Sequence, residues 1–443
     1  MLSASNLIPR TQTGPTMLPP IRPGAQARRC GDSPISDLMA RALNTPDLVS
    51  LAAGFVDHAT LPVEATARAA ASVLGDELEA RRSLQYGTTR GDGRLRKHLI
   101  ERLVRQGELA PDQAAEVEHR TIVTSGSQQL LYLLAEALLD PGDIVLVESP
   151  TYFVFLGVLR SFGARVIGVE TDAGGLKVDA LEATLAALDE AGELPLVKMV
   201  YTISEHSNPT GLSLAADRRG PLVETVRSWS RRQRIFLVED SAYRGLTFDG
   251  NEPPSVWAHD LAGDTVIHAR TFSKTYSPGM KVGYGIVPAA LMETLLALKG
   301  HHDFGTAHFN QQVLDRVLTD GGYDRQVAVL QATYRRKRDA LLAALDQHLG
   351  GVEGVSWTQP RGGLYVWLTL PEGVDTGRDG AFFARCLEHG VLYVPGALAY
   401  PEEPGPVPAN HARLSFGVAG PEGLAEGVRR LAAALADCLA VVA

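Results

Sequence analysis

The sequence predicts an α/β fold: a mainly parallel sheet covered by helices on both faces, followed by a smaller α+β domain. Three observations predict it. Short runs rich in Val and Ile recur along the chain, each bounded by turn residues, as buried strands are. Helical periods lie between most of them, and such alternation implies parallel pairing through crossover helices. The alternation ends near residue 315, where one long charged helix pattern gives way to a strand pattern. The 443 residues leave room for two or three domains, at about 150 residues each. With 45% hydrophobic residues the chain needs no metal or disulfide to build a core.

Residues 1–34 read as an arm, because Pro and Gly interrupt any helix there and no apolar period appears. A short helix is expected over 35–43. Strands are expected at 121–124, 143–149, 164–170, 196–202, 234–240, 265–271 and 282–287, with helices between them, among others over 128–139 and 220–232. The long charged helix is expected over 324–349 and the strand after it over 363–370.

Charge and cysteine content narrow the setting. A net charge of −9 argues against nucleic acid as the main partner, since phosphate neutralisation needs a basic face. Cys30, Cys386 and Cys438 are far apart and form no CxxC pair, which fits a reducing compartment. The first 30 residues hold no apolar stretch of signal-peptide length, and no run suits a membrane span. Cytoplasm is the expected location.

Four segments put reactive side chains at strand ends. Lys274 stands just past strand 265–271 in TFSK, among small and hydroxyl residues, with a second cation, Lys281, seven residues on. By itself it reads more readily as a solvated loop lysine, and the context changes that reading. Asp240 closes strand 234–240, with Tyr243 three residues on. A carboxylate there faces the ligand crevice of an open α/β sheet, although Asp and Ser also cap helices. Asn208-Pro209-Thr210-Gly211 follows strand 196–202 and reads alone as a turn. Ser125-Gly126-Ser127 joins strand 121–124 to a helix. Hydroxyls and free N–H groups at a helix N-terminus bind anions, and an ordinary capping turn has the same pattern.

In this order and spacing the four segments resemble the fold type I, pyridoxal-phosphate-dependent class I and II aminotransferases. SLAAGFVDHATLP (50–62), LQYGTTRGDGRLR (84–96), ESPTYF (148–153), PRGGLYVW (360–367) and ARLSF (412–416) extend the resemblance from residue 35 to the C-terminus. Within the family the chain is most similar to the 2-aminoadipate, branched-chain and aromatic aminotransferases. The resemblance implies a large domain over 76–315 with a mainly parallel seven-stranded sheet. It implies a smaller α+β domain made of 35–75 and 316–443, and pyridoxal 5'-phosphate as cofactor. Lys274 would link covalently to the cofactor aldehyde, Asp240 would pair with the pyridine nitrogen, and Tyr243 and Asn208 would hydrogen-bond the ring hydroxyl. Ser125, Gly126, Ser127, Thr271 and Lys281 would hold the phosphate, and Tyr152 would stack on the ring. Arg413 would clamp the substrate α-carboxylate, with help from Asn208 and the backbone near Gly54. Tyr86 would reach the phosphate of the neighbouring subunit, which makes the active unit a homodimer.

Elementary chemistry agrees with these roles. The cofactor is an electron sink only while its pyridine nitrogen stays protonated, which needs a buried carboxylate beside it. A Schiff-base lysine needs a flexible stem and a shiftable proton affinity. Arg offers a planar fork matched to a carboxylate, which Lys does not.

The sequence departs from the family pattern in three places. Lys281 stands where Arg is usual, so the phosphate loses a bidentate grip. Glu205, His206 and Ser207 precede NPTG, where apolar residues are usual, and are expected near the pocket wall. TTRGDG follows LQYG, and its Arg90 is expected as a surface cation rather than a contact of an acidic substrate. His301, His302, Asp303 and His308 suggest no metal site, because supporting ligands are absent from the pattern. Arg335-Arg336-Lys337-Arg338 is expected as the solvated face of the long helix. GDGR at 91–94 is not a dinucleotide fingerprint, since no strand leads into it.

The expected activity is transfer of an α-amino group from an amino acid to a 2-oxo acid, with 2-oxoglutarate as acceptor. A lyase or decarboxylase could use the same scaffold, because pocket geometry selects the bond that breaks at Cα. An aminotransferase-like regulator body is set aside, because no DNA-binding unit is visible in the Pro-rich arm and the net charge is negative.

Overall fold

The computed structural model describes residues 20–31 and 47–442, and the helix expected over 35–43 lies outside them. In chain order the strands begin with β1 (Val49–Ser50), β2 (Thr121–Thr124), β3 (Ile144–Ser149), β4 (Arg165–Asp172) and β5 (Gly175–Leu176). They continue with β6 (Val197–Ile203), β7 (Phe236–Asp240), β8 (Val266–Thr271) and β9 (Gly283–Ile286). The C-terminal strands are β10 (Ser356–Trp357), β11 (Tyr365–Thr369), β12 (Val391–Leu392), β13 (Val394–Pro395) and β14 (His411–Ser415).

The large sheet has the order β2-β9-β8-β7-β6-β3-β4-β5. From β8 through β4 neighbours pair in parallel, while β9 is antiparallel to both β8 and β2. The two-residue β5 folds back antiparallel on β4 and adds one short strand to the seven expected. Both faces of the sheet are buried. Val145 and Val147 enter one apolar core while Ile144 and Leu146 enter the other. That is why the central strands read as continuous apolar runs rather than as alternation. Helix Ser127–Leu138 follows β2, Phe153–Phe162 follows β3, and Ala216–Trp229 follows β6. The C-terminal ends of β2, β3, β6, β7 and β8 therefore open on the same edge as the start of β9, where open α/β sheets bind ligands.

A second, antiparallel sheet has the order β10-β11-β14-β13. Helix Gly322–Leu349 packs against helix Pro421–Val442 beside it. The β1–β12 pair ties the segment at residue 49 to the same region.

Three expectations need correction. A short helix, Ala25–Cys30, forms inside the arm despite the flanking Pro and Gly, because it docks on helix Phe153–Phe162. Gln26 donates to the Tyr132 hydroxyl at 3.1 Å and Arg29 Nε to the Ser161 carbonyl at 3.0 Å. The basic run is only half solvated. Arg335 and Arg336 face water, but Lys337 and Arg338 turn inward one step further round the helix. Lys337 Nζ meets Asp57 at 3.0 Å and the carbonyls of Gly417 and Val418, and Arg338 pairs with Asp249 and donates to the Pro360 carbonyl. Finally, residue 315 falls inside helix His308–Thr319, so a domain boundary at 315 would cut a packed helix.

Candidate active site

Twelve of the thirteen side chains or backbone positions singled out from the sequence line one cavity of about 310 Å³ at the C-terminal edge of the large sheet. They are Gly54, Ser125, Gly126, Ser127, Tyr152, Asn208, Asp240, Tyr243, Thr271, Lys274, Lys281 and Arg413. Tyr86 is not among them. It is 80% exposed and packs edge-on against the exposed Phe304, with ring centroids 5.5 Å apart.

One end of the cavity is built from turns. Gly126 adopts φ +78° and starts helix Ser127–Leu138, whose first N–H groups have no partner within the helix. Its left-handed backbone suits glycine, and the strand opposite is glycine too: a Cβ on Gly283 would lie 2.8 Å from the Gly126 backbone. Gln129 Oε1 accepts from the Ser125 amide at 2.8 Å, and its Nε2 donates to Asp303, which also binds Lys299. Asp303 is thereby occupied as a brace of this turn. His302 pairs with Glu136 and His308 with Asp92, so Asp303, His302 and His308 have separate partners. Thr271 and Ser273 share a hydrogen bond at 2.9 Å beside the exposed Lys281.

Asp240 ends β7 and is 4% exposed. Its Oδ2 accepts from the Tyr201 hydroxyl at 2.9 Å and its Oδ1 from the Ala242 amide at 3.2 Å. Burial pushes its carboxyl up to about 6, against the pull of those two donors. A cation beside it would restore the carboxylate. Lys274 follows β8, and its Nζ donates to the Gly54 carbonyl at 2.7 Å.

The other end is closed and drawn from distant parts of the chain. Arg413, on β14, is 2% exposed. Its Nη1 donates to Asn208 Oδ1 and its Nη2 to the Ala52 carbonyl, both at 2.8 Å. Its Nε is buried without a partner. The guanidinium lies 4.3 Å from the centre of the Tyr365 ring and 5.6 Å from that of Phe153. Tyr365 and Arg413 are diagonal neighbours on one face of the β11–β14 pair, which accounts for the stacking.

These features fit pyridoxal phosphate. An anion cradle with a cation, a buried carboxylate, an amine, and a fork with a spare donor are what its phosphate, pyridinium, aldehyde and amino-acid partner require. Sequence reasoning missed Tyr201 and Tyr365. Both lie in strand patterns, and the available signal was that a buried phenol needs a hydrogen-bond partner. It also missed Glu148, buried after β3's apolar run and raised to about 7 by burial, which accepts from Thr202, Ser207 and the Ile203 amide. The departure at 205–207 does not form the wall of this cavity. Glu205 and His206 border a separate cavity of about 800 Å³ behind the NPTG turn. Glu205 binds Arg219 and Arg244, and His206 bonds Thr247, so these residues anchor the turn that carries Asn208.

Fold and cavity together define an enzyme that handles amino acids on pyridoxal phosphate. The chain belongs to the class I and II aminotransferases: the family model matches residues 46–431. It is 34% identical over 400 residues to aromatic-amino-acid aminotransferase 1 of Thermococcus litoralis, covering 90% of each chain. It is 33% identical over 421 residues to the 2-aminoadipate transaminase of Thermus thermophilus, covering 95% of this chain and 98% of that one. The crystal structure of Pyrococcus horikoshii kynurenine aminotransferase superposes with a TM-score of 0.85 at 32% identity, over 94% of this chain and 97% of that one. The protein is a pyridoxal-phosphate-dependent aminotransferase that moves an α-amino group from an amino acid to a 2-oxo acid. Among the described residues no helix is long and apolar enough to cross a membrane.

Proposed function

We propose that 2-oxoglutarate is the amino acceptor, and that the donor comes from the range the relatives' names span: aromatic amino acids, 2-aminoadipate and kynurenine. The observation that carries the site assignment is the convergence of Lys274, Asp240 and Arg413 on one cavity. Pyridoxal phosphate supplies an electron sink for the carbanion at Cα and a carrier for the amino group. Lys274 would hold it covalently and, when free, would act as the acid and base that moves a proton at Cα. Asp240 would keep the pyridine nitrogen protonated. Tyr243 and Asn208 would hold the ring oxygen, Tyr152 would cover the ring, and Ser125, Gly126, Ser127, Thr271 and Lys281 would hold the phosphate.

Arg413 takes the substrate carboxylate with its spare Nε and outer N–H groups. A fork would hold the carboxylate in one orientation, which would favour breaking C–H over C–C to the carboxylate. We further propose a two-fold homodimer in which Tyr86 reaches the partner's phosphate. Its exposure beside Phe304 and Leu84 supports this. Three free cysteines are consistent with a cytoplasmic setting. We divide the chain after helix His308–Thr319, with the small domain starting at the long helix.

The test is a half reaction. Mixed with donor and no oxo acid, the loaded protein should release one 2-oxo acid per chain and stop until 2-oxoglutarate is added. Continuous release without acceptor would instead assign a lyase or decarboxylase.

A further inference from the structure

Tyr365 touches two of the cavity's working groups, Arg413 and Tyr243. Its ring supports the Arg413 guanidinium at 4.3 Å, and its hydroxyl oxygen accepts from the Tyr243 hydroxyl at 3.2 Å. The same oxygen lies against Gly54, where a Cβ would approach it to 2.8 Å, and Gly54 is the residue whose carbonyl takes Lys274. Tyr243 has one hydroxyl proton to donate. With pyridoxal phosphate bound it has two acceptors for that proton, the Tyr365 oxygen and the cofactor's ring oxygen.

We propose that Tyr365 is a positioning residue that sets how strongly Tyr243 holds the cofactor's ring oxygen, by competing for the Tyr243 hydroxyl proton. The proposal rests on the roles of Tyr243 and Lys274 given above. The electrostatics favour Tyr365 as the acceptor. Burial raises its phenol, but Arg413, Lys274 and the hydrogen bond from Tyr243 together outweigh it, so the net direction is down. Burial pushes Tyr243 well up, and the neighbouring Tyr365 adds to that, so Tyr243 keeps its proton and donates. The titratable groups facing Tyr365 are Arg413 on β14, Lys274 after β8, Tyr243 after β7, Tyr152 after β3 and Tyr334 on helix Gly322–Leu349. The last two keep their protons, raised first by burial, and so bring no negative charge to the competition.

The test is a pH titration of the visible absorbance of the loaded protein. A hydrogen bond donated to the ring oxygen lowers that oxygen's basicity, so the proton it shares with the Lys274 nitrogen leaves at lower pH. In Tyr365→Phe the competitor is gone, the ring stays, and the midpoint should fall by about half a pH unit to one, the size of an ordinary hydrogen bond. In a Tyr243→Phe background the same substitution should leave the midpoint unmoved, which a general loosening of the site would not do. A midpoint unchanged or raised in Tyr365→Phe, or an equal fall in both backgrounds, overturns the proposal. Borohydride trapping on Lys274 in the wild type separates the two levels. Trapping elsewhere removes the site assignment and this proposal together, whereas trapping on Lys274 with an unmoved midpoint removes this proposal alone.

Discussion

The two ends of the cavity are built in opposite ways. The end that faces Ser125 and Thr271 is made of short turns, each contiguous in sequence, with an exposed lysine at its rim. The end that holds Arg413 joins residues from near 52, 208, 365 and 413, all buried, with every contact crossing a long stretch of chain. An exposed point charge is screened and replaceable, while a buried fork is held in one geometry by its partners. Substitutions of the charged group should therefore be costly at the closed end and mild at the exposed rim of the open one.

The largest effect is expected at Asp240, buried beside Tyr201. Asp240→Ala should slow proton removal from Cα by several powers of ten in single-turnover measurements, at about 1.4 kcal/mol per tenfold. Near wild-type turnover would exclude it from the chemistry. Next is Arg413→Lys, which keeps the charge but orphans Asn208 Oδ1 or the Ala52 carbonyl. A loss of about 3 kcal/mol, or about a hundredfold in kcat/KM, is expected. A change of only a few-fold would erase the contrast between the ends.

The third test uses stability. Asp240 is raised from 3.8 to about 6 in the folded, cofactor-free protein, mainly by burial. A raised carboxyl binds its proton more tightly folded than unfolded. The penalty for ionising it is thus absent below about pH 4, grows as pH rises to 6, and stays constant above. Cofactor-free Asp240→Asn should then be more stable than wild type at pH 8 by about 1–3 kcal/mol, and equal to it near pH 3.5, in denaturant titrations. Equal stability at both pH values would remove the burial argument. The smallest effect is expected at the open end. Lys281→Arg restores a fork and should tighten cofactor binding about fivefold by equilibrium dialysis, and no tightening would mean the rim cation is solvated.

The same contrast explains what was legible in the sequence. Strands β3, β6, β7 and β8 follow from apolar runs, and the turns after them from local motifs, because both signals sit within a few residues. Tyr201 was hidden because its partner Asp240 lies on the next strand, a diagonal step across the β6–β7 pair. Tyr365 was hidden likewise across β11–β14. The inward turn of Lys337 and Arg338 is not legible, because a charge run says nothing about Asp57 or Asp249, which arrive from elsewhere in the chain. The position of Glu205, His206 and Ser207 is not legible either, because sequence adjacency to Asn208 does not tell which side of a turn a side chain takes.

The contact of Gly283 with Gly126 has a consequence for how this protein can vary. A side chain at 283 would have to displace the Arg270 carbonyl, 2.6 Å from its Cβ, as well as the turn itself. Neither is the movable end of a side chain. In a library holding every single substitution, selected for growth that depends on the enzyme's activity, position 283 would survive as glycine alone. Position 281, two residues earlier on the rim, is exposed but adopts φ +50°, so it would return several unbranched residues and exclude Val, Ile and Thr, a different record of tolerance from its neighbour's.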